Sequence, residues 1–456
     1  MLRLQFCAKI FFLYLRTVKP IYLFNPEHDL ALANGDRHFI APRNIREMAS
    51  DLAALMSIAA PLYERVSPPC STVPHPIPWG WDAASAERFK KMGIPAEALP
   101  TAEALATLSQ HSERGLAHHL LKAFRHTHPD NVYIGESLIV HSTDELAAYA
   151  MQHGHILLKA PLSGSGKGLR HVNFNDNDSV DENSTSALKK VESWANALIR
   201  RHGYLTAEPY YTKVQDFAME FIADATGCHF IGYSLFVTDS HGRYIGSRLT
   251  SDAEIENTLA SYVQREALHE VRRWVIAHHS RIIPTAWDTA QHPLPFGIDM
   301  MVVRTLDNSQ PTTTDERSKS RSKVYFDYAL QGGRKLLLNR EQSSCLLELP
   351  RYEAGKACEA GLIQTPQFKF HPCVEINLRM NMGIIAHELY RHRLTPDATG
   401  TYQIARFADN ATLRQFHEEH TQLHPATYHD GKLSSGYMLL TPITDDTLHL
   451  AYVLCD

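Results

Sequence analysis

The stretch Leu157-Leu158-Lys159-Ala160-Pro161-Leu162-Ser163-Gly164-Ser165-Gly166-Lys167-Gly168-Leu169-Arg170 decides how the rest of the chain is read. Its alternating glycines, Gly164, Gly166 and Gly168, let backbone N–H groups approach an anion closely and reach positive φ. The segment before them, Ile156-Leu157-Leu158-Lys159-Ala160, is an apolar strand with a lysine inside it. A lysine so placed can meet the α- and β-phosphates of a nucleotide as a point charge. The stretch is not a Walker A loop, because that pattern needs Gly where the chain has Pro161 and Ser or Thr where it has Gly168. Nor is it GxGxxG, since the third glycine comes one residue early. A Gly/Ser loop alone is as well explained by flexibility as by a ligand; the strand lysine is what argues for a ligand.

Three further motifs follow. In Glu375-Ile376-Asn377, on a strand over 371–377, residues i and i+2 share a face, so Glu375 and Asn377 offer oxygen ligands side by side. Such a pair suits Mg²⁺ bridging phosphates, and Arg379 beyond it can neutralise a transferring phosphoryl group. Gly297-Ile298-Asp299 places a lone carboxylate in an apolar strand over 297–303. A buried carboxylate needs a partner, either a cation shared with Glu375 or an ordinary cap or salt bridge. In Ala207-Glu208-Pro209-Tyr210-Tyr211 the chain leaves a strand and turns, with Asp216 shortly after. Backbone groups at such a turn can read an adenine edge, and a carboxylate can take ribose hydroxyls.

Together and in this order the four motifs resemble the ATP-grasp family: a strand lysine before a Gly-rich loop, a hinge strand carrying Glu, then Asp on one strand and E-x-N-x-R on the next. The resemblance spans Lys159 to Gly383, about half of the chain. It implies an α/β (α+β) ATP-grasp fold preceded by an open α/β domain. It implies that Lys159 binds the phosphates and that Ser163, Gly164, Ser165, Gly166, Lys167 and Gly168 cover them. Glu208, Tyr210 and Asp216 would hold adenine and ribose, and Asp299, Glu375 and Asn377 would ligate Mg²⁺ or Mn²⁺. Arg379 would act with Lys159 in catalysis, touching phosphate or acyl-phosphate oxygens; Arg114, in Ser112-Glu113-Arg114-Gly115, is a looser match to a basic residue that often precedes the loop. The family's chemistry is attack of a carboxylate on the γ-phosphate of ATP, then capture of the acyl phosphate by an amine or similar nucleophile, with release of ADP. Three departures stand out: the 75 residues between Asp299 and Glu375, where the family has a short turn; Met380-Asn381, where it often has Pro-Gly; and the hinge Glu208-Pro209-Tyr210-Tyr211, which is not its commonest version.

Outward from this centre the chain divides into an extension over 1–18, an α/β domain over 19–110, an ATP-grasp N-terminal part over 111–205, a C-terminal part over 206–399 with an insertion over 304–370, and a β-containing tail over 400–456. In the first domain the strand Ile21-Tyr22-Leu23-Phe24 stops at Asn25-Pro26-Glu27-His28-Asp29. A helix is expected over 44–58, and a Pro-rich segment over 68–78 ends in Trp79-Gly80-Trp81-Asp82. Both polar clusters fall where a strand would end, which is where open sheets bind ligands. Asn25, Glu27, His28 and Asp29 are therefore candidate substrate contacts, with Asp29 as a helix N-cap equally plausible; the Trp79 cluster reads rather as packing. Arg248 is a candidate for a substrate carboxylate, though a surface arginine explains it better. A polar loop is expected over 173–186 and a hairpin over 324–338. Ser251-x-x-Glu254 opens a helix whose Ile255, Leu259, Val263, Ala267, Val271 and Val275 recur every four residues and belong to the core.

Composition sets the outer bounds. The chain has 456 residues, 44% hydrophobic and 21% charged, and a formal net charge of −5, which excludes disorder and offers no basic field for nucleic acid. Seven scattered cysteines, none spaced CxxC, point to reduced thiols and a cytoplasmic protein. No apolar run is long enough to span a bilayer, so no membrane partner is expected. The histidine-rich His417-Glu418-Glu419-His420 and His387-Glu388-Leu389-Tyr390-Arg391-His392 miss the HExxH spacing and are expected to be solvated helix surface. The leading expectation is an ADP-forming ligase acting on a small-molecule or peptide carboxylate, homo-oligomeric or not. A regulatory nucleotide-binding protein and a phosphotransferase on the same fold are the alternatives.

Overall fold

Strands β1 (Ile21–Leu23) and β2 (Pro76–Pro78) run parallel, so Asn25–Asp29 and Trp79–Asp82 emerge side by side from their carboxyl ends. The structure is a computed structural model and describes residues 20–66, 75–163, 168–173, 183–238, 244–305 and 367–456. The extension over 1–18, loop residues Gly164, Ser165, Gly166 and Lys167, most of the 173–186 loop, and nearly all of the 304–370 insertion with its hairpin lie outside those residues.

Among the described residues the open sheet expected for 19–110 is just this parallel pair. Helices and a 3-10 turn wrap it: His28–Asn34, Arg43–Asp51, Ala53–Ser57, Ala60–Val66 and Ala83–Lys91. The single helix expected over 44–58 is thus broken, while Leu52, Leu55 and Met56 still reach the core.

A second layer holds β3 (Leu138–Val140), β4 (His155–Lys159), β5 (Leu169–Asn173) and β6 (Leu205–Pro209), antiparallel in the order β3-β6-β4-β5. Helices Thr143–His153 and Asn183–His202 cover one face through Leu146, Ala150, Val191 and Ala195. Ser142 caps the first of them, its Oγ accepting from Glu145 N at 3.2 Å.

The third layer is a nine-stranded antiparallel sheet. Its strands are β7 (Thr212–Asp224), β8 (Gly227–Thr238), β9 (Tyr244–Leu249), β10 (Leu294–Thr305), β11 (Gln367–Asn377), β12 (Gly400–Arg406), β13 (Thr427–His429), β14 (Lys432–Leu439) and β15 (His449–Cys455). They lie in the order β11-β10-β7-β8-β9-β12-β15-β14-β13. Side chains alternate across a strand, so Phe217, Met219, Ile298 and Met300 point to a core covered by helices, while Asp216, Glu220, Asp299 and Glu375 share the other face. The covering helix expected to run unbroken to Val275 is two, Asp252–Leu259 and Arg265–Ala277. The break at 260–264 leaves all six recurrent residues buried, so their spacing marked the core correctly and the element incorrectly.

One helix corrects a surface expectation. Glu388 on Met382–Arg393 is fully buried and ion-paired with Arg65, the Nη2–Oε1 distance being 2.8 Å, with His392 Nε2 3.3 Å from its other oxygen. Burial alone would raise this carboxyl, but bonds from His387 and Arg65 hold it below its ordinary value. Removing the guanidinium strands a buried charge. Arg65→Met should therefore cost about 3 kcal/mol in urea unfolding, and Arg65→Met with Glu388→Met should recover most of it; an unchanged midpoint for the single variant would dismiss the pair as structural.

Candidate active site

Lys159 is the last residue of β4, and Glu208 lies diagonally across on β6, on the same face. Their side chains meet at 2.6 Å, with both residues buried. Lys159 Nζ also donates to Val374 O at 3.2 Å, so the ammonium spans from the small sheet to the backbone of β11 beside Glu375. The loop after Lys159 is closed at its base by Ala160 N donating to Gly168 O at 2.9 Å. A Cβ on Gly168 would meet Ser163 Oγ at 2.1 Å, so only glycine fits at that return.

On the large sheet, Asp299 and Glu375 are directly opposite one another on β10 and β11, and Gly297 faces Asn377. Asn377 Nδ2 donates to Asp299 Oδ2 at 3.3 Å. Burial, then the charges of Glu375, Glu220 and Asp216, push the Asp299 carboxyl well above its usual value. Arg114 answers this negative charge from the first turn of helix Arg114–Thr127. Its guanidinium donates to Ala160 O at 2.7 Å, Ser163 Oγ at 2.6 Å and Glu375 Oε1 at 3.0 Å, tying loop to carboxylate. The looser of the sequence matches is thus a central contact.

Arg379, just past β11, forms a two-pronged pair with Asp29 at 3.2 and 2.9 Å. Burial would raise Asp29, but the guanidinium draws it below the usual carboxylate range. Asp29 is therefore not the N-cap of helix His28–Asn34; Glu27 occupies that position. Met380 N donates to Trp79 O at 2.9 Å, fixing the E-x-N-x-R strand end against the end of β2. The result is a cleft bordered by His28, Asp29, Arg114, Glu375, Asn377 and Arg379. It joins the amino-terminal cluster to the carboxylates of the large sheet.

The remaining candidates separate. Asp216 lies on the carboxylate face, bonded to Lys213 and, at 3.2 Å, to Thr238 Oγ1. Tyr210 is 49% exposed and stacks on His155 with ring centres 4.0 Å apart. Arg248 pairs with Leu235, Leu235 with Phe217 and Phe217 with Met300, which puts it on the opposite face of the sheet from Asp299. Strand alternation thus takes Arg248 away from the cleft. Asn25 is 1% exposed and bonds Gly80 O and Asp82, and Glu27 pairs with Arg88.

Glu220 went unread in the sequence. Buried on β7 beside the cluster, it accepts from Asn381 Nδ2 at 2.7 Å, and burial lifts its carboxyl to about 7. Gly297 and Gly383 make room for it: a Cβ on either would come within 2.4 and 2.0 Å of its oxygens. A charged residue inside the apolar run Phe217-Ala218-Met219-Glu220-Phe221-Ile222 was the available signal, the same one that marked Asp299.

Among the described residues no three His, Cys, Asp or Glu side chains form a closed metal cage. What β10 and β11 present is an open set, two carboxylates and an amide, which suits a cation that completes its shell with phosphate and water. Burial, and after it the repulsion of the neighbouring carboxylates, raise Asp299, and a divalent ion would relieve that repulsion. A raised carboxyl pKa means that the folded state loses stability as pH climbs above about 4, where the unfolded residue ionises. In EDTA at pH 7, Asp299→Asn should accordingly raise the melting temperature, on the order of 2 °C. Millimolar MgCl₂ with ADP should raise it further in the parent than in the variant; a lower melting point for the variant in EDTA would remove the repulsion account.

No protein-family model and no curated protein matches the sequence. Solved structures similar to the chain include the ADP complex of an N5-carboxyaminoimidazole ribonucleotide synthetase, at 10% identity and TM-score 0.44, covering 96% of this chain and 92% of that one. Biotin carboxylase from Campylobacter jejuni is similar at 11% identity and TM-score 0.42, covering 95% and 87%. N5-carboxyaminoimidazole synthetase from Staphylococcus aureus with ADP is similar at 11% identity and TM-score 0.40, covering 96% and 87%. These are distant likenesses.

Proposed function

We propose that the chain is an ATP-dependent ligase that joins a small-molecule or peptide carboxylate to an amine through an acyl phosphate, releasing ADP. One observation carries this reading: Lys159 reaches across from the small sheet to Val374 O on β11, beside Glu375, which stands opposite Asp299. That brings an ammonium group close to two carboxylates and an amide, the complement of a metal-bound triphosphate. The order of the motifs along the chain, as in the ATP-grasp family, supports the same reading.

The roles follow from position. Lys159, freed from Glu208, would neutralise phosphate oxygens, and the loop closed by Gly168 would cover them. Asp299, Glu375 and Asn377 would hold Mg²⁺ or Mn²⁺, with the Asn377 amide turned so that its oxygen faces the ion. Bound there, the ion would screen the phosphates and favour attack on the γ-phosphorus. Arg114, on Ser163 and Glu375, would sense both loop and metal ligands. Arg379 would exchange Asp29 for the substrate's carboxylate or the phosphoryl group it receives, since a planar guanidinium serves either anion in two-pronged fashion. The protein's part is positioning, charge neutralisation and exclusion of water from the acyl phosphate.

The test is a screen of amino acids and small carboxylates with MgATP, read by mass spectrometry. ADP and phosphate should appear only when carboxylate and acceptor are both present; AMP and pyrophosphate would contradict an acyl phosphate, and ADP without need of an acceptor would favour a phosphotransferase. Glu375→Ala should lower turnover by about 10³-fold or more, by analogy with loss of other transition-state charge stabilisers, while leaving the melting curve cooperative. Full activity in that variant would remove the metal assignment.

A further inference from the structure

We infer that His28 takes the proton from the incoming amine, and that the acceptor of this site is therefore an amine that is an ammonium ion at neutral pH; this rests on the ligase reading above. The residues come from the polar clusters that leave the carboxyl ends of β1 and β2. His28 Nδ1 lies 3.2 Å from Asp82 Oδ2. Asp82 is itself fixed: Oδ1 accepts from Ser85 N at 2.8 Å and Oδ2 from Asn25 Nδ2 at 3.0 Å, while the same Asn25 amide donates to Gly80 O at 2.8 Å. A carboxylate accepts, so the hydrogen of this contact sits on Nδ1, and in the neutral tautomer so held Nε2 is the free acceptor. His28 is 1% exposed, yet it borders the cleft that Glu375, Asn377 and Arg379 line. Room for the ring is made by Gly80, where a Cβ would meet the imidazole at 2.5 Å. Trp79 and Trp81 on either side pack into the core, so that cluster is half packing and half site.

The charged groups around His28 suit the task. Asp82 balances a proton gained at Nε2. Asp29, in the next position, is held by Arg379, while Arg114 and Glu375 border the same cleft, and Glu27 with Arg88 completes the cluster. An ammonium ion has no lone pair, so a base must take a proton from it before it can attack. Nε2 takes one proton from the ammonium nitrogen. The freed lone pair attacks the acyl-phosphate carbonyl carbon, the C–N bond forms, and the C–O bond to the phosphoryl group breaks with its electron pair on the leaving phosphate. That phosphate carries off the second nitrogen proton, leaving a neutral amide and His28 as imidazolium. Asp82 touches no substrate and acts as a positioning residue.

The test compares two acceptors in one assay: the twenty amino acids with MgATP, without and with hydroxylamine, which is uncharged at neutral pH. The expected result is a dipeptide-to-hydroxamate ratio about 100-fold lower in His28→Gln, the usual size of a lost general base, and less reduced in Asp82→Asn. The acid limb of the parent's pH–rate profile for dipeptide should vanish in His28→Gln. An unchanged ratio would overturn the role of His28 while leaving the ligase reading intact. Absence of ADP, dipeptide and hydroxamate from the parent would overturn both. Long-range ¹H–¹⁵N spectra of the parent give a readout independent of turnover: His28 should hold its proton on Nδ1, and a proton on Nε2 instead would overturn the inference.

Discussion

Asp299 and Glu375 stand directly opposite each other on neighbouring antiparallel strands, with Glu220 and Asp216 on the same face. Like charges in that position are unfavourable, and burial makes them more so. The surrounding architecture can be understood as the answer to this one constraint. Arg114 reaches Glu375 from a helix start, and Asn377 lends its amide to Asp299. Asn381 satisfies Glu220, which stands in a space kept open by Gly297 and Gly383. Each of these carboxylates finds a donor in the fold, while burial, joined at Asp299 by the repulsion of its neighbours, still pushes Asp299, Glu220 and Asp216 above the ordinary carboxylate range.

The cations near this cluster have partners of their own. Lys159 is balanced by Glu208 and Arg379 by Asp29, so burial of either costs less than it would unpaired. An anionic ligand that took over either cation would leave the internal carboxylate to be met by another donor, a cation or a proton. The Met380–Trp79 backbone bond then ties the strand that carries Glu375 and Asn377 to the cluster that holds His28. Glu375, Asn377 and His28 are thereby held in register by the main chain.

Strand segments carrying a charge inside an apolar run were legible, because burying a charge demands a compensating partner. Lys159 and Asp299 announced themselves this way, Glu375 by sharing a strand face with Asn377, and Glu220 stood in an apolar run without being read. The core residues from Ile255 to Val275 were legible from spacing, yet the helix break at 260–264 was not, since a turn that preserves the buried positions leaves the periodicity intact. Arg248 looked available because a sequence does not number its sheet faces; the register with Leu235 and Phe217 does. Asp82 read as part of a packing cluster, and only its approach to His28, 54 positions away, gave it another character. Glu388 likewise looked like helix surface until Arg65 was found against it.

The sequence alone determined which residues could bear charge in apolar surroundings, where the chain must turn on glycine, and the order in which ligand types arrive. Those are local properties, set by side-chain chemistry and backbone freedom. Tertiary structure decided which of them meet: that residues 299 and 375 oppose one another, that residue 159 crosses between sheets, and that residues 28 and 82 form a pair. Contacts between distant segments depend on strand register and on the packing of one layer against the next, and neither is written in any short stretch of chain.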